Sequence, residues 1–225
     1  INVDNEKKIK LYSSIDNNEN FIEKCFNVAF KLIKIGFTNK FINGPISKKK
    51  FLGKKFLGVT EYITKKFHVK NSAMLIYNSK LSVSPLTTHQ PIKLVAKNIT
   101  KRKIINHTLL INDFYKFYNK RKPIIGILGL NPHCETIDIF DEDEKIIKPA
   151  IKILKKMNFK VSGPHSADTI FLKNNRKKYD VILGMYHDQV LSPLKAIFEF
   201  NAVNITLGLP FLRISPDHGP NKKMF

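Results

Sequence analysis

Residues 179–189 read YDVILGMYHDQ, a continuous apolar run that ends abruptly at His187. Strands buried on both faces of a parallel sheet have this pattern. Two further runs have the same form: LSVSPLTTHQ at 81–90 leads to His89, and IIGILGLNPHC at 124–134 leads to His133. Ligands of open α/β sheets bind at the carboxyl ends of parallel strands. The three histidines therefore predict a metal site at one edge of a sheet, with positions open for a substrate.

Each histidine also has an ordinary alternative role, because a lone histidine at a strand end is more often a hydrogen-bonded structural residue. The repetition of one placement at three strand ends is what favours the metal site. Asp188, the sequence neighbour of His187, is a candidate to orient the imidazole.

Outward from these runs, helical and strand-like patterns alternate. Apolar residues at helical spacing predict helices over 18–35, 60–67, 93–118, 141–157 and 166–173. Strands are expected at 73–77, 82–88, 124–130, 159–163, 180–185 and 202–207. Gly36 ends the first helix, and Pro149 implies a kink or a late start in the fourth. Strands separated by helices predict an α/β fold with a mostly parallel sheet.

The composition is strongly basic. The chain has 225 residues and a formal net charge of +21, which could indicate a nucleic-acid partner. The lysines are spread through the chain, however, and no RNA-recognition, zinc-finger or helix-turn-helix signature accompanies them. Compositional drift is therefore the favoured explanation, and no specific nucleic-acid binding is predicted. A basic surface would still attract an anionic, phosphorylated substrate.

Several other classes of protein are disfavoured. No run of about 18 uncharged apolar residues occurs, so no membrane span is predicted. The two cysteines, Cys25 and Cys134, lie in unrelated contexts without CxxC spacing, which argues against a disulfide scaffold or a cysteine-built zinc site. They suggest a reducing compartment, and a cytoplasmic location is expected. The usual dinucleotide-binding, P-loop and nucleophile-elbow motifs are absent from the sequence.

Basic and amide side chains at turns suggest an anion pocket. Lys195, Asn204 and Arg213 follow His187 within a short span. Arginine offers a bidentate fork to phosphate or carboxylate, and lysine offers a point charge. The alternative is solvated surface charge, the commonest fate of such residues. Lys48, after the turn at 44–45, is equally a phosphate-facing residue or part of an exposed connection.

Six segments together resemble one enzyme family. They are PLTTHQP, GLNPHCE, VSGPHSADTIF, YDVILGMYHDQ, PLK and VNITLGLPFLRISPDHG. In this order and with this spacing, over about residues 36–219, they resemble the 4-hydroxythreonine-4-phosphate dehydrogenases of pyridoxal phosphate biosynthesis.

The resemblance implies an isopropylmalate-dehydrogenase-like α/β/α fold with two lobes, a mostly parallel sheet and a cleft between the lobes. It also implies a cytoplasmic homodimer with one divalent metal ion per site (zinc, magnesium or cobalt), shared between subunits. The implied metal ligands are His89, His133 and His187. The implied substrate-binding residues are Thr60, Lys195, Asn204 and Arg213, and Lys195 and Asp168 are the implied catalytic residues.

The implied reaction is the oxidation of 4-phosphooxy-L-threonine by NAD, or NADP. The β-keto acid formed then loses carbon dioxide and gives 3-amino-2-oxopropyl phosphate. No cofactor-binding residue is assigned.

The chain departs from the family pattern at three places. Val59 stands where the family usually has a histidine, and CETIDIFDEDE replaces a glycine-rich stretch after the NPH motif. An N-terminal segment with a GDPAGIGPE-like motif and a C-terminal helix are missing. Residues 1–225 are thus expected to be a catalytic fragment whose lobe boundary the sequence does not resolve. The alternatives are a related dehydrogenase acting on another phosphorylated hydroxy acid, or an inactive fragment.

Overall fold

The computed structural model describes residues 19–46, 51–52, 56, 58–137 and 139–218. Lys48, one of the candidate phosphate-facing residues, lies outside these ranges.

The described strands form one eight-stranded sheet. In chain order they are β1 (Lys40–Ile42), β2 (Ala73–Tyr77), β3 (Ser82–Thr87), β4 (Ile125–Leu128), β5 (Val161–His165), β6 (Val181–Tyr186), β7 (Val203–Leu207) and β8 (Leu212–Pro216). Their order across the sheet is β1-β8-β7-β2-β3-β6-β4-β5.

Helices cover both faces of this sheet. They are α1 (Glu19–Lys34), α2 (Val59–Lys66), α3 (Val95–Asn98), α4 (Lys101–Tyr118), α5 (Lys148–Lys156), α6 (Ala167–Ile170), α7 (Lys173–Arg176) and α8 (His187–Phe198). No described helix has the length and apolarity that a membrane crossing requires.

The α/β architecture and the mostly parallel sheet are confirmed, since four of the seven strand pairings are parallel. β3, β6, β4 and β5 run in one direction, and β2 lies antiparallel to both of its neighbours. Thr87 of β3 is in register with Tyr186 of β6. The strand ends that carry His89 and His187 are therefore side by side.

The core has two layers, one on each face of the sheet, as an α/β/α sandwich requires. Val181, Leu183 and Met185 of β6 contribute to the cluster under α4 and α5, whereas Ile182 faces the cluster under α8. A third cluster, built on aromatic rings, joins α1 and α2 beside β1 and β8; it includes Phe26, Phe30, Phe41, Tyr62 and Phe211. The two-lobed division stays a prediction.

Candidate functional site

A cavity of about 530 Å³ lies on the α8 face of the sheet, against β2, β7 and β8. Alternate residues of a strand point to the same face, so Ile76, Asn204 and Ser215 are neighbours in register on one wall. α8, the loop at 43–46 and the start of α2 supply the other walls. The cavity brings together six predicted site residues: Thr60, His89, His187, Lys195, Asn204 and Arg213.

His89 and His187 stand together at the mouth formed by the ends of β3 and β6. Their ring centroids are 5.9 Å apart. Nδ1 of His187 lies 2.7 Å from Oδ1 of Asp188, the predicted orienting contact. With Nδ1 engaged in this way, Nε2 of His187 is the nitrogen available to a metal ion.

Besides its ring contact with His187, His89 contacts Glu61, a residue in the first turn of α2. Its Oε1 lies 3.6 Å from Nδ1 of His89 and accepts a hydrogen bond from the hydroxyl of Thr88. Burial raises the pKa of Glu61, but the contact with His89 outweighs burial and brings the pKa below its usual value. An ionised Glu61 therefore orients the imidazole of His89 through its contact with Nδ1.

Arg213 of β8 provides a buried positive charge. The residue is 2 % exposed. Its guanidinium donates from Nε to Oδ1 of Asn43 at 2.9 Å and from Nη1 to the hydroxyl of Thr206 at 3.1 Å, both neutral acceptors. No carboxylate among the residues placed by the structure forms an ion pair with it. Burial lowers the pKa of Arg213 to about 10, so the group still carries its charge at neutral pH.

Lys195 of α8 projects into the same cavity and pairs with Oδ2 of Asp217. Its Nζ also lies 4.7 Å from the centroid of the Phe200 ring. Asn204 of β7 presents Oδ1, which is buried and accepts no hydrogen bond from the described residues. This cavity therefore offers two fixed cations and at least one unused acceptor to a ligand.

His133 and Asp168 lie apart from this cavity. His133 is exposed, in a short helical turn after β4, and Asp168 is an exposed residue of α6 whose carboxylate accepts a hydrogen bond from Ser166 at 2.6 Å. The hydrogen bond from Ser166 is the main cause that lowers the pKa of Asp168, and the nearby charge of His133 adds to it. These two predicted site residues thus belong to a second locality in this chain.

The buried carboxylate of Asp143 binds the backbone just before His133. It accepts hydrogen bonds from the backbone N–H groups of Leu130 and Asn131 at 2.9 and 3.1 Å. The next turn places His133 at φ 56° and Cys134 at φ 62°, the left-handed region that non-glycine residues rarely adopt. The turn after β4 is fixed in this way, and His133 is not among the residues that line the cavity.

Within the described part of a single chain, no three His, Cys, Asp or Glu side chains are grouped as metal ligands. The structure brings together two of the three predicted metal ligands, His89 and His187. Both are imidazoles, which zinc and other first-row divalent ions accept.

Sequence reasoning missed Glu61, Asn43 and Asp217. Asp217 directly follows β8, which runs opposite to β3 and β6, so the strand-end rule that predicted the histidines does not apply to it. Glu61 stands one residue after Thr60, a predicted substrate-binding residue. Nothing in the local sequence marks Asn43, whose role depends on the pairing of β1 with β8.

Comparisons with known proteins agree with these features. The family model described as pyridoxal phosphate biosynthetic protein PdxA matches residues 3–222. A 4-hydroxythreonine-4-phosphate dehydrogenase of Sulfurihydrogenibium sp. (strain YO3AOP1) is 45 % identical over 78 % of this chain and 55 % of its own length. A D-threonate 4-phosphate dehydrogenase of Pectobacterium atrosepticum is 32 % identical over 87 % of this chain and 61 % of its own length.

Solved structures show the same likeness. The crystal structure of 4-hydroxythreonine-4-phosphate dehydrogenase from Klebsiella pneumoniae superposes with a TM-score of 0.77 at 30 % identity, covering 89 % of this chain and 62 % of that one. The chain thus spans between half and two thirds of the length of these relatives.

Proposed function

This chain belongs to the PdxA family of pyridoxal phosphate biosynthetic proteins, and we propose that it supplies the substrate cavity of a 4-hydroxythreonine-4-phosphate dehydrogenase. The proposed reaction transfers a hydride from the secondary alcohol carbon of 4-phosphooxy-L-threonine to NAD. The alcohol proton leaves, and the β-keto acid then loses carbon dioxide to give 3-amino-2-oxopropyl phosphate.

The observation that carries the proposal is the buried guanidinium of Arg213. A charge removed from water is costly unless an opposite charge meets it. Among the described residues Arg213 donates hydrogen bonds only to the neutral oxygens of Asn43 and Thr206, and the charge of Glu61 acts on it without forming an ion pair. An anionic group of a ligand in the cavity, either phosphate or carboxylate, would complete this arrangement. Lys195 of α8 lines the same cavity, where its ammonium group is paired with Asp217.

The histidines fit a divalent cation. His89 and His187 would bind it from one subunit, and we propose that His133 of the partner subunit supplies the third imidazole. When bound, such a cation stabilises negative charge on the oxygen of the reacting alcohol and on the enolate left by decarboxylation. Asp188 and Glu61 keep the two imidazoles of this subunit oriented through their other nitrogens.

The remaining polar groups would position the substrate. Thr60 and Asn204 line the cavity and can hydrogen-bond to substrate oxygens or nitrogens. Binding the remote anionic group at Arg213 helps to fix the reacting alcohol near the histidines. The site residues for NAD, or NADP, stay unassigned, and the catalytic role of Asp168 stays a prediction.

A second candidate function is the oxidation of another phosphorylated hydroxy acid. The D-threonate 4-phosphate dehydrogenases are relatives at 32–33 % identity. Val59, which replaces the family's histidine, lines the cavity and removes a polar contact there. The two candidate substrates differ in whether an amino group or a hydroxyl group stands beside the carboxylate.

Arg213 provides the test. In the full-length protein that contains this chain, Arg213→Met should weaken binding of 4-phosphooxy-L-threonine at least about 30-fold, because truncating one partner of a buried charge pair costs about 2–5 kcal/mol. Calorimetry measures this affinity, and the appearance of reduced NAD measures turnover. Arg102→Met, which removes an exposed arginine of α4, is the matched control. No binding or turnover of this substrate by the unmodified protein, with NAD and a divalent metal present, would contradict the proposal.

A further inference from the structure

Asp217 is a buried carboxylate in which only one of the two oxygens has a hydrogen-bond donor. It directly follows β8, and its side chain is 1 % exposed. Oδ2 accepts a hydrogen bond from Nζ of Lys195. Oδ1 is buried and receives no hydrogen bond from the residues that the structure describes. Because Asp217 lines the cavity, a bound ligand can reach it.

A second unused acceptor lies at the same end of the cavity. Asn204 is in register with Ser215, two residues before Asp217, on the adjacent strand β7. Its Oδ1 is also buried without a donor from the described residues. Buried polar atoms are nearly always hydrogen-bonded, and an unsatisfied one costs about 1–3 kcal/mol. Two such acceptors on one wall indicate that the ligand brings donors.

The cavity therefore contains both a positive charge and hydrogen-bond acceptors that a ligand can use. Arg213 presents a positive charge that forms no ion pair with a described carboxylate, whereas Asp217 and Asn204 each present one Oδ1 atom without a donor. A ligand with only anionic groups would satisfy the first feature and leave the second unpaired. A ligand with both an anionic group and an ammonium group satisfies both, because an ammonium has three N–H donors and a hydroxyl has one.

We propose that Asp217, assisted by Asn204, accepts hydrogen bonds from the substrate's amino group and thereby selects a phosphorylated amino acid over the corresponding phosphorylated hydroxy acid. This inference rests on the proposed function and specifies its substrate class. Lys195 donates a hydrogen bond to Oδ2 of Asp217, which fixes the carboxylate before the ligand binds and leaves Oδ1 for the ligand. A site built to hydrogen-bond a particular group strongly discriminates against analogues that lack it.

The test compares two ligands on the full-length protein without NAD. Calorimetry measures the affinities for 4-phosphooxy-L-threonine and for D-threonate 4-phosphate. We expect Asp217→Asn to weaken binding of the amino ligand by about 10-fold or more, as loss of a charged hydrogen-bond partner does. Binding of the hydroxy ligand should weaken less, because its hydroxyl offers Asp217 one uncharged donor. The Lys195 charge that the variant leaves unpaired acts on the anionic groups of both ligands alike. Asp113→Asn, which removes an exposed carboxylate of α4 outside the cavity, should leave both affinities unchanged.

The ratio of the two affinities separates selection from structural damage. A distorted or partly unfolded variant would lose both ligands equally, and equal losses would overturn the inference while leaving the proposed function intact. Failure of the unmodified protein to bind either ligand would overturn both. Preferential binding of the hydroxy ligand by the unmodified protein would overturn the role of Asp217 alone.

A measurement on the unmodified protein covers the case in which Asp217→Asn does not fold. Raising the pH through the pKa of the ligand's ammonium group should weaken binding of both ligands, because Arg213, whose pKa burial lowers to about 10, loses its charge in the same range. The amino ligand should decline more steeply than the hydroxy ligand, since its own ammonium group is also lost. Equal declines for the two ligands would contradict the assignment.

Discussion

At the scale of single residues, the most unusual titrating group outside the cavity is His107 of α4. Its Nε2 lies 2.7 Å from the hydroxyl oxygen of Ser84, and that hydroxyl donates to the carbonyl of Met74. Nε2 must therefore carry the hydrogen and act as the donor. Burial lowers the pKa of His107 to about 4, which keeps the imidazole neutral at physiological pH.

This buried histidine predicts acid sensitivity of the fold. The pKa of His107 is lower in the folded state than the usual 6.5, so protonation favours the unfolded chain. Its contribution to stability is complete above about pH 6.5 and declines, by up to about 3 kcal/mol, as the pH falls toward 4. Urea unfolding at a series of pH values measures this loss.

A non-titrating variant isolates the contribution of His107. Burial also lowers the pKa of His165, and that residue acts in the same direction. His107→Gln should therefore show a shallower decline between pH 6.5 and 4 than the unmodified protein, whatever its stability at neutral pH. Identical pH slopes for the two proteins would refute the assignment to His107.

At the scale of elements, the close approach of α8 to β6 controls the geometry of the cavity. A Cβ atom on Gly184 would lie 2.4 Å from Cγ1 of Val190, in the first turns of α8. That helix begins at His187 and carries Lys195. Glycine at 184 is therefore what lets β6 and α8 pack at this distance.

Gly184→Ala should destabilise the protein by about 1–3 kcal/mol, the usual cost of overpacking a core. It should also weaken metal and ligand binding, since it displaces the helix that carries His187 and Lys195. Thermal unfolding and metal titration measure the two effects. Gly44→Ala is the matched control for the effect on stability, because a Cβ atom there meets nothing within 4 Å. Unchanged stability of Gly184→Ala would show that α8 moves away without cost.

Sequence periodicity predicted most elements but not all their bounds. The predicted helix at 18–35 is α1, and the strand expected at 180–185 is β6 one residue later. The stretch 93–118 is divided, because the chain is extended at Ile99 and α4 begins after Thr100, whose hydroxyl caps Lys103 N. Pro149 marks a late start of α5, after a π-helical turn at Asp143–Ile147.

The elements that sequence reasoning missed depend on tertiary contacts. α8 contains Pro193, which ordinarily argues against a helix interior, yet Val190, Leu191 and Leu194 are buried against the sheet. Packing overrides local propensity here. The short strands β1 and β8 pair with each other from opposite ends of the described chain, Lys40 with Leu212, and no local pattern indicates such pairing.

The candidate site was predictable where it depends on strand ends. Parallel neighbours β3 and β6 bring His89 and His187 together, as their positions in the sequence imply. His133 was expected at the same edge because it follows an apolar strand, and that strand, β4, is indeed the other neighbour of β6. Local sequence does not show that Asp143 binds the backbone after β4 and redirects the loop.

At the scale of the whole molecule, the segment around His133 has the character of a contact surface. Ile137 and Ile139, a few residues later, are fully exposed at 108 % and 95 %, and Phe140 is 48 % exposed. Contiguous exposed apolar side chains commonly mark sites of association. A second subunit that covers this segment would also receive His133, which supports the proposed sharing of the metal site between subunits.

Subunit mixing tests that sharing. His133→Ala and His187→Ala should each lose metal binding when purified alone, because each variant removes one imidazole from every site. In a heterodimer of the two, one site combines His89 and His187 of the first subunit with His133 of the second and is therefore intact. Random exchange should restore about a quarter of the metal bound by the unmodified protein. His68→Asn, at an exposed histidine, controls for loss of adventitious binding. No recovery on mixing would place all three ligands within one chain, or His133 outside the site.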